Sequence, residues 1–182
     1  MTSGPRARLA VAGAVVLALA VVAIAAPPAM TVTSVTRDRR VLVTVDLPGL
    51  DARALGAGAA DGVPVTYRYG VELRRSTAFW FSRRVARADV SVTARFDVLD
   101  RLFHVSQVTD GRAGGERVTT RGDDAARWLG HLDLVPLADT ASLQAGGEYD
   151  LRATASTRDA SAWFAWPWGA VATARTRLTV LP

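Results

Sequence analysis

Five arginines, Arg74, Arg75, Arg83, Arg84 and Arg87, surround the aromatic triplet Phe79-Trp80-Phe81. Guanidinium groups bind phosphate or carboxylate oxygens through paired hydrogen bonds, and they stack on aromatic faces. The chemistry open to this stretch is contact with an anion. Beside a membrane the anion is a lipid headgroup, with Trp80 and its neighbours at the interface. A plainer role competes: a hairpin connection whose rings cap the core while the arginine stems cover it, since runs of charge usually line solvated faces. The plainer role is the default expectation.

Trp163-Phe164-Ala165-Trp166-Pro167-Trp168 is the second cluster. Aromatic residues at this density form binding rims or interfacial loops, and they also close the ends of β-sandwiches. Trp163, Phe164, Trp166 and Trp168 are the candidate partner surface.

Catalysis finds little to use. The chain has no cysteine, which excludes a disulfide, a thiolate nucleophile and a Cys-ligated metal. His104 and His131 are the only imidazoles. Neither has a second His, Cys or Glu at ligand spacing, so no metal is expected. There is no nucleophile elbow, no phosphate-cradling glycine loop and no Ser/His/Asp order. Most acids mark turns or caps, namely Asp38, Asp51, Asp61, Asp100, Asp110, Asp123 and Asp124. No spacing points to a glycosidase carboxylate pair. Arg121-Gly122-Asp123 spells an adhesion tripeptide and reads as a chance match, with Asp123 capping a helix. The expectation is a protein without catalytic residues, cofactor or metal.

These residues must be held by strands. Val63, Val65, Tyr67, Tyr69, Val71 and Leu73 share one face of the run before the aromatic triplet, and Val90, Val92, Ala94, Phe96 and Val98 share one face of the run after it. Strict period-two alternation marks strands with one face buried and one wet. A hairpin over Met30–Leu47 turns at Arg37-Asp38-Arg39, with Val41, Val43, Val45 and Leu47 inward. Leu50–Ala60 reads as a short helix between Asp51 and Asp61-Gly62. Leu102–Thr109 is a strand, Asp110–Gly115 a loop and Glu116–Arg121 a further strand. Asp123–Leu132 is a helix with an acidic first turn. A link containing Pro136 follows. Glu148–Thr157 then places Tyr149, Leu151, Ala153 and Ala155 inward, and Val171–Leu181 closes the chain. The pattern predicts a mainly β chain: an antiparallel β-sandwich, immunoglobulin-like in architecture, of about eight strands with two short helices. A membrane barrel is rejected, because the face opposite the core carries Arg, Asp, Glu and Thr where lipid would need apolar groups.

Met1–Arg8 is basic, and Leu9–Ala26 is uninterrupted apolar sequence ended by Pro27-Pro28. As a helix that run spans roughly 27 Å, close to the thickness of a bilayer core. The basic start holds the N-terminus in the cytoplasm, which makes everything beyond Pro28 exported. Residues 1–28 are therefore a signal peptide cleaved near Ala25 or an uncleaved signal anchor, followed by one exported domain over 29–182. The formal charge is +5, and all 22 basic residues are Arg. That uniform bias reflects composition, and without a recognition motif it does not indicate nucleic acid.

The order of features resembles an uncharacterised family of exported bacterial proteins, domain of unknown function 4390. The resemblance is carried by Gly62-Val63-Pro64-Val65, by Val71-Glu72-Leu73-Arg74-Arg75 leading to Trp80, and by Ala94–Asp97. It continues through Trp128-Leu129-Gly130, Val135-Pro136-Leu137-Ala138-Asp139 and Tyr149-Asp150-Leu151-Arg152. It spans about Val32–Ala155 and departs at Trp163–Trp168. It implies an exported or membrane-anchored protein accessory to an envelope sensor system, and it supplies no catalytic residues.

Together these readings predict a non-enzymatic cell-envelope binding or adaptor module with a membrane or periplasmic protein partner. The alternative is a carrier of lipid or another anionic ligand through Arg74, Arg75, Trp80, Arg83, Arg84 and Arg87.

Overall fold

The computed structural model describes residues 29–50, 55, 63–76, 82–157 and 169–180. The apolar run at 9–26, the triplet at 79–81 and the aromatic segment at 163–168 lie outside the described residues. So does the helix expected at 50–60, apart from Leu50 and Leu55, of which Leu55 is helical and buried.

The chain is mainly β, in two antiparallel sheets. Strands β1 (Thr31–Arg37), β2 (Arg40–Asp46) and β7 (His131–Asp139) form the smaller sheet in the order β1-β2-β7. The larger holds β3 (Val65–Ser76), β4 (Ser82–Asp97), β5 (Leu102–Thr109), β6 (Arg112–Thr119), β8 (Glu148–Thr157) and β9 (Gly169–Thr179), ordered β6-β5-β4-β3-β8-β9. Helix α1 (Gly122–Gly130) precedes β7. The alternating residues face inward as their spacing predicts: Val41, Val43 and Val45 from one sheet join Tyr69, Val71, Leu73, Val90, Val92, Leu151 and Ala153 from the other in one buried cluster.

Tyr69, at the centre of the larger sheet, is 1% exposed and donates its hydroxyl hydrogen to the Leu129 carbonyl of α1 at 2.5 Å. Burial first, then the nearby Tyr67 and Asp46, push its phenol far above the ordinary range, so it stays a neutral donor. At the opposite end Tyr149, at the start of β8, accepts the Gln144 backbone N–H at 2.8 Å, pinning the corner between β7 and β8.

Several local expectations are corrected. There are nine strands among the described residues, and the ninth is the supposed Pro136 link. β7 pairs with β2 through two register shifts, and Leu134 takes a left-handed φ of 49°. The buried Leu132, Val135 and Leu137 are therefore spaced three and then two apart, and the bulge hides the strand's period. Proline is tolerated because β7 is an edge strand. The loop expected at 110–115 contracts to the two residues Asp110 and Gly111, both at positive φ, as a tight hairpin requires. Val98 is 60% exposed and lies in the turn beyond β4. Helix α1 stops at Gly130, whose missing Cβ lets the Leu47 carbonyl approach. Its N-cap is Arg121 without a side-chain cap bond, so Asp123 does not cap it. Asp124 accepts from Thr119 Oγ1 and pairs with Arg127 at 3.0 Å.

The strand directions sort the connections to two ends. The β1–β2 turn, residues 140–147, the end of β9 and the β3–β4 connection share one end, tied by Thr140 N–H to the Arg39 carbonyl and Gly146 N–H to the Val180 carbonyl, each at 2.8 Å. The start of β1, the β4–β5 turn and the β8–β9 connection share the other.

Candidate anion-binding face

The supposed basic crossing is mostly strand, because β3 runs to Ser76 and β4 resumes at Ser82. A bulge between Leu73 and Arg74 sets the register there. It places Arg74, Arg84 and Arg87 on the outer face of the larger sheet. Arg75 and Arg83 pair with each other on the opposite side, where Arg75 also faces the buried Tyr149. The five arginines are thus split three and two. Trp80 and the aromatic segment Trp163, Phe164, Trp166 and Trp168 lie outside the described residues.

The three outer arginines converge on Glu72. Its carboxylate accepts from Arg74 at 3.1 Å, Arg84 at 3.2 Å and Arg87 at 3.4 Å, and Arg87 also grips Asp89 through two bonds of 2.7 Å. Burial works to raise the Glu72 pKa, but hydrogen bonds from Arg84 and Arg74, with their charges, outweigh it and hold the carboxyl below its usual value. In turn the Asp89 bonds raise the Arg87 pKa above its ordinary value.

Cross-strand register extends this group further than sequence proximity shows. One row across β4, β3, β8 and β9 reads Arg87, Glu72, Arg152, Arg175, and the next reads Arg84, Arg74, Asp150, Arg177. Six arginines and two carboxylates give these rows a net charge of +4. Arg152 stands directly opposite Arg175, and Arg84 opposite Arg74, arrangements that disfavour a sheet unless an anion lies between them. Among the described residues no carboxylate lies within ion-pair distance of Arg152, Arg175 or Arg177. Sequence reading missed these three because they are scattered. The available signal was their place on the outward alternate positions of the last two strands.

Beside the first row the sheet surface sinks into a depression of about 620 Å³. Gly70 forms its floor between Asp89 and Thr154, and Arg68, Glu72 and Ser156 stand around it. No described element covers this face.

The histidines do not assemble with these groups. His104 Nδ1 meets Glu116 at 3.0 Å, and His131 lies 3.6 Å from Asp46 in the other sheet. Among the described residues no cluster of three metal-ligating side chains occurs.

Glu72→Gln should act in opposite directions on binding and stability. It raises the two rows to a net +5 and removes the carboxylate charge shared by Arg74, Arg84 and Arg87, although Arg87 keeps Asp89 and Arg74 keeps Ser82, so affinity for inorganic polyphosphate should rise several-fold. At neutral pH the loss of partly exposed ion pairs should cost about 1 kcal/mol of stability. The folded carboxyl titrates below its ordinary value of 4.5. Its stabilisation is therefore complete above that value and is lost as pH falls through the folded pKa. Urea unfolding of wild type and variant should accordingly converge as pH falls through that lowered pKa. A constant difference down to acid pH would show that Glu72 acts by packing alone.

A family model described as "Domain of unknown function (DUF4390)" matches residues 29–168. No curated protein and no solved structure matches the chain. Among the described residues no helix is long and apolar enough to cross a membrane.

Proposed function

Since the chain belongs to the DUF4390 family, we propose that it is an exported, non-enzymatic binding module of the cell envelope that takes an anionic ligand on the outer face of its larger sheet. The observation that carries this reading is the pair of cross-strand rows with six arginines against two carboxylates. Cross-strand neighbours stand about 5 Å apart, so the rows present guanidiniums at a spacing suited to an extended ligand with repeated negative charge. The depression at Gly70 gives such a ligand's polar portion a place to enter.

The scaffold is an immunoglobulin-like sandwich. The order β1-β2-β7 against β9-β8-β3-β4 is that of two such sheets, and Tyr149 makes the tyrosine-corner bond at the start of the equivalent strand. The apolar run at 9–26 supports export and retention on the outer face of the cytoplasmic membrane. There an accessory role to an envelope sensor, with a membrane or periplasmic protein as partner, is the setting we propose. Capture of that partner through Trp163–Trp168, which lies outside the described residues, is the competing surface.

Titrating the full-length protein, in detergent, with inorganic polyphosphate tests the reading. Binding should be measurable in 50 mM salt and weaken roughly tenfold or more by 300 mM, as the ion atmosphere tightens. Absence of binding at low salt, or binding indifferent to salt, would sink the anionic-ligand proposal.

A further inference from the structure

The two ends of the domain are chemically unlike, and the difference tells which end faces the bilayer. Chain direction places residue 29, where the sequence after the apolar run enters the domain, at the start of β1. The β4–β5 turn lies at this same end, and it exposes the two most solvent-exposed large apolar side chains among the described residues, Leu99 at 89% and Val98 at 60%. Val63, leading into β3, adds a third at 46%.

The turn holds this conformation firmly. Asp97 Oδ1 accepts the backbone N–H of Leu99 at 2.9 Å and of Asp100 at 3.4 Å, and Arg101 takes a left-handed φ of 57°. Behind it Phe96 and Phe103 meet with ring centroids 4.8 Å apart. A fixed turn that holds two adjacent apolar side chains in water offers them to an apolar surface outside the domain. β8 ends at Thr157 and β9 begins at Gly169, paired with each other at this same end.

The arginine-rich end points the other way. β4 has 16 residues, so Arg84 lies roughly 45 Å along the strand from the Leu99 turn. That is several Debye lengths at physiological salt, beyond the reach of a headgroup layer at the first end.

We infer that the protein stands on the membrane by the end bearing Val63, Val98 and Leu99, which dips into the lipid interface, while its basic face stands clear of the bilayer and serves an anion that is not its own membrane. The inference rests on the proposal that residues 9–26 keep the protein at the membrane. It decides between two sources of negative charge for the arginine rows, and it assigns lipid to the opposite end.

The absence of native cysteine permits a clean test. Leu99→Cys and, at the far end, Ala141→Cys are labelled singly with an environment-sensitive fluorophore in the full-length chain. Each protein is reconstituted into phosphatidylethanolamine–phosphatidylglycerol vesicles containing lipid spin-labelled near the headgroup. Both positions are exposed, so neither substitution threatens the core. Strong quenching at position 99 with little at 141 is the expected result. Vesicle flotation of the protein with position 99 unquenched, or with 141 quenched as strongly, would overturn the orientation while leaving the anchor intact. Failure to float with the vesicles would remove the anchor and the inference together.

Discussion

The double variant Arg84→Glu with Arg175→Glu is expected to lose polyphosphate affinity by roughly 1,000-fold, on an allowance of roughly 1 kcal/mol for each arginine removed and a similar total for the two carboxylates introduced. The stability of the same variant should hold or rise slightly. In the first row the sequence of charges becomes alternating from Arg87 through Glu72 and Arg152, and in the second it alternates through Arg74, Asp150 and Arg177. Every like-charged cross-strand neighbour within these two rows is thereby removed, a gain of a few tenths of a kcal/mol per pair set against the lost Arg84–Glu72 contact at 3.2 Å. Calorimetric titration at low salt reads the first effect and urea unfolding the second. Unchanged affinity would mean that the charge on this face has no ligand. A large fall in stability would mean that the arginines are held by the fold and are not available to a partner.

The second large effect concerns Tyr69. Truncation by Tyr69→Ala leaves a cavity between the two sheets and should cost about 3–5 kcal/mol, a large share of the ~5–15 kcal/mol by which single domains are stable. Tyr69→Phe keeps the ring and removes only the hydroxyl, which strands the Leu129 carbonyl in the buried seam between β3 and α1. An unsatisfied buried acceptor costs about 1–3 kcal/mol. Midpoints from urea titration should rank wild type above Phe and Phe above Ala. A Phe variant as stable as wild type would show that the Leu129 carbonyl finds another donor and that α1 is held by packing alone.

The alternating runs made β2, β3, β4, β5 and β8 legible, because a half-buried strand writes its two faces into the residue order. β7 was not legible. Its bulges and its positive-φ Leu134 break the period, and Pro136 argued against a strand that the edge position accommodates. The candidate face was legible only in part. Arg74, Arg84 and Arg87 stand close in sequence and were found together, but sequence could not separate them from Arg75 and Arg83, since a one-residue shift at a bulge decides which side of a sheet a side chain joins. Arg152, Arg175 and Arg177 required knowledge of which strands are neighbours. Glu72, which organises the group, looked from sequence like any outward position on β3.

The strand order also sets a schedule. β3, β4, β5 and β6 follow one another through short connections, and each can pair as soon as its successor has emerged. The other edge of β3 waits for β8, since Tyr69 pairs with Ala155, 86 residues further on. Closing so long a segment is entropically slow, and contacts of this range dominate the folding time of β proteins. Until β8 arrives, the emerging chain carries an open strand edge flanked by Tyr67, Val71 and Leu73, a template for pairing with another chain. Folding therefore has a vulnerable interval between the emergence of β3 and that of β8, and this is when a holdase chaperone would be needed.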